Sequence, residues 1–359
     1  VRITLTNPYC WPNVRRGSES LMHGLGLWLR SSGHDASILA GAPKRSSYEI
    51  DGLPYRTVKA TDMTWLGREY VPPVTMIGPM RRALRRLKPD IVHAFSYHDA
   101  VAAKRAKLPY ALTIGGIITP PWRNRYQFKL FNQACTHAGL IICPSQAAAD
   151  ALKADYGFEA EVVPHGLDVA SFASTEPRVA GRITCMATPN DTRKRPDFLV
   201  RAFAKVAPKV ADAHLVFAGD ASDDVQQRLR ALLPAKHRDR LSFLGDLAPD
   251  ELRREYGRAS ITALTSLNEA FGLVLIESLA SGTPVIGTRS GALPEIVTND
   301  VGALSDPDDV NECARQIQWL LDESGPALSA RCVAHAEHYD WAAVGPKNVA
   351  IYHRVITRW

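Results

Sequence analysis

Two carboxylates, Glu269 and Glu277, have seven residues between them in the stretch NEAFGLVLIESLASG, residues 268–282. Glu277 is the one charged residue between Gly272 and Ala280, on what reads as an apolar helix, and Glu269 stands just ahead of that helix. A carboxylate on a buried helix is costly unless hydrogen-bonded, and a pair of sugar hydroxyls, each a donor, would satisfy it. A helix that starts near Gly272 leaves the amides around Phe271, Gly272, Leu273 and Val274 unpaired in its first turn. They carry the positive end of the helix dipole and suit an anion such as a diphosphate. The glycine lets a ligand approach the backbone closely. One carboxylate would then hold a ribose and the other a donor sugar, with the diphosphate between them. The competing reading is that Glu277 pairs with a neighbouring basic group and Glu269 is simply solvated.

The elements that must place these residues follow from the pattern around them. ITALTSL reads as a strand, NEAFG as a turn, and the helix ends at Gly282 with Pro284 just beyond. Strand-like runs alternate with helix-length segments along the whole chain. In the first half they are RITLTN, DASILAG, YRTVKA, DIVHAF, YALTIG, LIICPS and AEVVPHG. In the second half they are RITCMAT, HLVFAGD, LSFLGD, ITALTSL and PVIGT. This alternation predicts an α/β chain with parallel sheets covered by helices on both faces. A length of 359 residues suits two domains, and the stretch rich in small and polar residues at 165–181 is the natural break. Two doubly wound domains are expected to face each other across a cleft lined by the carboxyl ends of their strands, where such sheets bind ligands.

The composition, 46% hydrophobic and 22% charged, is that of a soluble globular protein. No run of eighteen apolar residues predicts a transmembrane helix, and no signal peptide is visible. The six cysteines are scattered without zinc spacing, which predicts a cytoplasmic setting. Residues 1–165 carry 21 Lys+Arg against 12 Asp+Glu, a balance of +9, and the remainder carries 22 against 25, a balance of −3. In RRALRRLKPD, Arg81, Arg82, Arg85 and Arg86 form a cationic stripe at helical spacing. It reads either as a solvated face or as a peripheral contact with an anionic membrane. Nucleic acid is not expected, since no recognition motif is present.

The chain resembles retaining glycosyltransferases of the GT-B fold, family 4 type, whose E-x7-E signature EAFGLVLIE matches. The likeness covers nearly the whole sequence. It includes RRGSESLMHGLGLWLRSSGHDASIL, PDIVHAF, VVPHGLDVASF, TRKRPDFLVRAF, HLVFAGD, LSFLGDL and SGTPVIGTRSGALPEIV. It implies two Rossmann-like domains. An acceptor domain would span 1–165 with a returning C-terminal helix at about 342–359, and a donor domain would span 175–341. Closure about a hinge at His165 would complete the site. The resemblance also implies metal-independent transfer of a hexosyl group, with retention, from a nucleotide-diphosphate sugar to a hydroxyl of a glycan, lipid or small-molecule acceptor. Glu269 would contact the donor sugar and Glu277 the ribose. Phe271, Gly272 and Leu273 would hold the diphosphate, and Arg193 with Lys194 would neutralise it. Gly17 would bring amides to the same phosphate, and loops near Gly219 and Gly245 would read the nucleobase. His98, Gly115 and Gly116 would lie at the acceptor side. No metal site is expected, since DPDD at 306–309 reads as a loop and helix start.

Three places depart from the family pattern. Gly115 stands where a histidine is usual, Ala187 and Thr188 replace a Gly-Arg pair, and Arg16 precedes Gly17 in place of a second glycine. Arg16 would supply the missing charge to the phosphate. The other readings are a sugar-nucleotide epimerase on the same fold and a degenerate nucleotide-sugar binder. A nicotinamide dehydrogenase is rejected, because the GxG of LMHGLGLW lies inside a helix pattern.

Overall fold

Short β-branched and aliphatic runs become strands because most are buried on both faces, and the amphipathic segments between them become the covering helices. The computed structural model describes residues 1–10, 17–60, 73–116 and 125–359. The chain divides into two units, Val1–Gly166 with Trp341–Trp359, and Leu167–Asp340.

The first unit runs β1 (Arg2–Asn7), α1 (Gly17–Ser31), β2 (Asp35–Ala42), β3 (Ser47–Ile50), β4 (Leu53–Lys59), α2 (Pro73–Leu87), β5 (Ile91–Ala94), α3 (Tyr97–Ala106), β6 (Tyr110–Thr113), α4 (Arg125–Thr136), β7 (Leu140–Cys143), α5 (Gln146–Tyr156) and β8 (Glu161–Val162). Its sheet has the order β3-β4-β2-β1-β5-β6-β7-β8, parallel except for the β3–β4 pair. The alternation pattern did not indicate β3. Its signal was Asp51-Gly52, which turns the hairpin with φ of 53° and 80°. One face of the sheet packs on residues of α2 to α5, among them Met80, Ala103, Phe131 and Leu152. The other packs on α1, through Met22, Leu25 and Leu29.

The second unit runs β9 (Arg182–Cys185), α6 (Pro196–Val206), β10 (His214–Phe217), α7 (Asp223–Ala231), β11 (Leu241–Phe243), α8 (Pro249–Arg258), β12 (Ile261–Leu264), α9 (Leu273–Ala280), β13 (Val285–Thr288), α10 (Leu293–Ile296), β14 (Gly302–Ser305), α11 (Val310–Glu323) and α12 (Pro326–Ala336). All neighbours in its sheet, ordered β11-β10-β9-β12-β13-β14, are parallel. β14 is an addition to the sequence reading, since Gly302–Ser305 holds no β-branched residue to mark a strand. The last helix, α13 (Trp341–Arg358), returns to the first unit. Its Val344, Ile351, Tyr352 and Val355 join the α1 side of that core.

Candidate donor site on the second unit

α9 starts directly after Gly272, which has φ 94° and no side chain to cap the first turn. Eight residues on, the helix stops at Ala280. Its inner face, Leu275, Ile276 and Leu279, is fully buried. The loop ahead of it rests on residues 290–292. Asn268 donates its amide to Ser290 Oγ at 3.0 Å, and the Glu269 carbonyl accepts the Ala292 amide at 2.8 Å. Gly291, with φ 57°, lies so close that a Cβ there would stand 2.4 Å from the Glu269 carbonyl oxygen and 2.6 Å from its nitrogen. The SGALPEIV segment therefore seats the loop that carries Glu269. Sequence reasoning matched that segment as a likeness and missed this task, of which the glycine was the legible trace.

Glu269 is not simply solvated. Lys194 donates to its Oε2 at 2.6 Å, and both side chains are mostly buried, at 23% and 19% exposed. Lys194 closes a short turn, Thr192–Lys194, capped by the Asp191 carboxylate. The turn is tied to the end of β12. Leu267 donates its amide to the Arg193 carbonyl at 3.1 Å, and Thr265 its hydroxyl to the Lys194 carbonyl at 3.1 Å. Arg193 itself is highly exposed and pairs with Asp191 at 2.7 Å. Two adjacent cations thus have different settings, one seated beside Glu269 and one turned to water.

Glu277 has no cation beside it among the described residues. Its partner is the hydroxyl of Tyr256 on α8, which donates to Oε2 at 2.6 Å. The glutamate keeps a partly exposed edge, while Tyr256 is fully buried. Burial pushes the Glu277 carboxyl up from 4.5 to about 7, and the tyrosine hydrogen bond opposes that rise. The sequence reading missed Tyr256, since one aromatic residue in EYGRAS reads as core.

Gly219 and Gly245, after β10 and β11, are brought together, with the Gly219 amide donating to the Gly245 carbonyl at 2.8 Å. Beside them Thr188 donates its hydroxyl to the Asp220 carbonyl at 2.5 Å, where the family pattern has an arginine. The DPDD stretch forms a turn and a cap. Asp306 accepts the Asp308 amide, and Asp309 caps α11. Among the described residues no group of three His, Cys, Asp or Glu is placed to hold a metal.

The remaining candidates lie on the first unit. Gly17 opens α1 and is exposed, and Arg16 lies outside the described residues, as does most of TPPWRNRY. Gly115 and Gly116 follow β6 and are exposed. His98 is buried in the first turn of α3. Its Nδ1 is 3.1 Å from Ser96 Oγ, its Nε2 has no hydrogen-bond partner among the described residues, and burial lowers its pKa to about 3. His93 is a core residue, with Nδ1 and Nε2 each 2.7 Å from the hydroxyls of Tyr352 and Thr113. Burial lowers His165, at the end of this unit, to about 4. None of the three imidazoles is charged near neutral pH.

Known proteins share this architecture. The model of glycosyl transferases group 1 matches residues 172–339, and that of Glycosyltransferase Family 4 matches residues 15–171. The phosphatidyl-myo-inositol mannosyltransferase of Propionibacterium freudenreichii subsp. shermanii is 27% identical over 384 residues, covering 98% of this chain and 94% of its own. Sucrose-phosphate synthase from Thermosynechococcus elongatus superposes with a TM-score of 0.81 at 18% identity, over 99% of both chains. Anabaena HepE in complex with UDP-glucose superposes with a TM-score of 0.77 at 16% identity, again over 99% of both. The two family models run without a gap from residue 15 to residue 339, and the fold has two Rossmann-like units. The chain is therefore a glycosyltransferase of the GT-B fold, family 4 type.

Proposed function

We propose that this enzyme transfers a hexosyl group, with retention and without a metal, from a nucleotide-diphosphate sugar to a hydroxyl acceptor. The observation that carries the reading is the pair of glutamates bracketing the start of α9, one ion-paired to Lys194 and one bonded to Tyr256. The diphosphate sits at the first turn, against the amides of Phe271, Gly272 and Leu273, with Lys194 and Arg193 supplying positive charge as the leaving group develops. Glu269 orients the donor sugar and keeps the Lys194 ammonium in place. Glu277 accepts from the ribose hydroxyls through the oxygen that Tyr256 does not occupy. The glycines at 219 and 245 stand near the base. HepE was crystallised with UDP-glucose, which supports a sugar nucleotide as donor. On the first unit, Gly17, His98, Gly115 and Gly116 serve the phosphate and the acceptor.

A thermal-shift screen against UDP-, GDP-, ADP- and dTDP-sugars, repeated with Glu277→Ala, tests this. A donor at a hundred times its dissociation constant stabilises the fold by about 2.7 kcal/mol. One responsive nucleotide, lost in the variant, is the expected result. A flat response to every donor would overturn the reading.

A further inference from the structure

α2 turns two different faces to its surroundings. Met76, Ile77, Met80 and Leu84 are buried and pack with Leu39 of β2 and Val58 of β4. Arg82 and Arg86, one turn apart, instead form one wall of an open groove of about 1020 Å³. Arg45, just before β3, and Arg56 and Lys59, on β4, form the other wall, with Leu39 and Val58 between.

Arg56 is the unusual residue. It shares a strand face with Val58, the face that α2 covers, yet it is exposed. α2 covers Val58 and leaves Arg56 open. Protection of a sheet edge does not account for this arginine, because β4 is paired on both sides, with β2 and with β3. Among the described residues no carboxylate lines the groove. None of the five cations makes a hydrogen bond or ion pair there with another described residue, although exposed cations elsewhere, such as Arg2, Arg228 and Arg354, pair with acids. Five like charges around one depression repel each other unless an anion stands among them. Arginine forks suit phosphate oxygens. The volume is at the upper end of small-molecule sites, so one phosphate alone would leave most of it empty.

We propose that this groove binds a ligand bearing several phosphate groups, held by Arg45, Arg56, Lys59, Arg82 and Arg86, on the unit that does not carry the donor residues. The phosphates belong either to a soluble molecule or to the headgroups of an anionic bilayer.

The test uses the full chain and two probes, inorganic tripolyphosphate by titration calorimetry and vesicles of phosphatidylcholine and phosphatidylglycerol in equal parts by cosedimentation. It compares the wild type with Arg56→Gln/Arg86→Gln and with Arg85→Gln. Arg85 lies on the same helix but outside the groove, where it donates to the Arg105 carbonyl. All three arginines are exposed, so the variants keep the fold, and a thermal midpoint checks this. The expected result is tripolyphosphate binding that weakens about tenfold or more in the double variant and is unchanged in Arg85→Gln. Vesicles that compete with tripolyphosphate identify the source as a headgroup, and binding without competition identifies a soluble ligand. Tripolyphosphate binding kept by the double variant, which places the anion on the donor site, overturns the proposal. So does equal weakening by Arg85→Gln, or no binding at all.

Discussion

The Tyr256 hydroxyl and Glu277 Oε2 lie 2.6 Å apart and join α8 to α9. This contact holds one oxygen of Glu277 against the protein. It also holds down a carboxyl whose burial pushes it up to about 7. If Glu277 holds the ribose as proposed, the ionised carboxylate is the form that accepts from its hydroxyls. Donor affinity is therefore expected to be complete above pH 7 and to fall as pH drops through that value. In Tyr256→Phe the midpoint should move to higher pH and affinity at pH 7 should fall about tenfold, since a hydrogen bond to a charged group contributes about 1.5–3 kcal/mol. Donor titrations across pH check both, and an unmoved midpoint would remove Tyr256 from this role.

The same carboxyl predicts a stability effect of definite sign. Its folded value lies above its ordinary 4.5, so the native state keeps a proton that the unfolded chain releases between about pH 4.5 and 7. Stability conferred by this group falls as pH rises through that window and stays low above it. Glu277→Gln mimics the protonated form and keeps an acceptor for Tyr256. It should raise the melting midpoint at pH 8, by at most about 3 kcal/mol in stability, and leave it near wild type at pH 4. Thermal melts at the two pH values decide.

Lys194 and Glu269 form a mostly buried ion pair at the proposed donor site. Removing either partner leaves the other uncompensated. Lys194→Met is expected to lower kcat/KM by about two orders of magnitude, the scale seen when one group that stabilises a developing charge is lost. Glu269→Gln should lower kcat with a smaller change in donor affinity. Steady-state kinetics on both variants separate these effects. Wild-type turnover in Lys194→Met would show that the lysine serves Glu269 alone.

Gly291 admits no Cβ, with the Glu269 backbone 2.4 Å from where that atom would stand. Gly291→Ala must push the Glu269 loop away or strain a residue held at φ 57°, at a cost of about 1–3 kcal/mol. Activity measured well below the melting point should fall further than the loss of folded protein explains. A variant that melts early but turns over normally would place the effect on the fold alone.

His93 Nδ1 and the Tyr352 hydroxyl of α13 are hydrogen-bonded at 2.7 Å, one of the contacts that hold the C-terminal helix on the first unit. Tyr352→Phe leaves a buried ring nitrogen without that partner, and the expected loss is about 1–3 kcal/mol. Burial depresses His93 from 6.5 to about 3, so the unfolded chain gains a proton first as pH falls. The stability this histidine provides is present above pH 6.5 and is lost as pH falls toward 3. Denaturant titrations at pH 7 and pH 5 of the wild type and of His93→Gln isolate this effect from other titrating groups: the variant should lose less stability, or gain more, on going to the lower pH.

Much of this protein is legible in one dimension because its physics is local. Strand and helix alternate along the chain, so periodicity alone indicates two parallel α/β units. Gly272 marks the start of α9, and the motif blocks mark the residues around Glu269 and Glu277. β3 escaped because its run is half exposed, and β14 because it has no β-branched residue, although Asp51-Gly52 carried the turn that makes β3. The partners of the site residues escaped for a different reason. Glu269 meets Lys194 across 75 positions, Glu277 meets Tyr256 across 21, and His93 meets Tyr352 across 259. Residue type does not encode such distances. They arise when parallel strands bring remote loops to one end of a sheet, and burial then sets which charges pair and which protons stay.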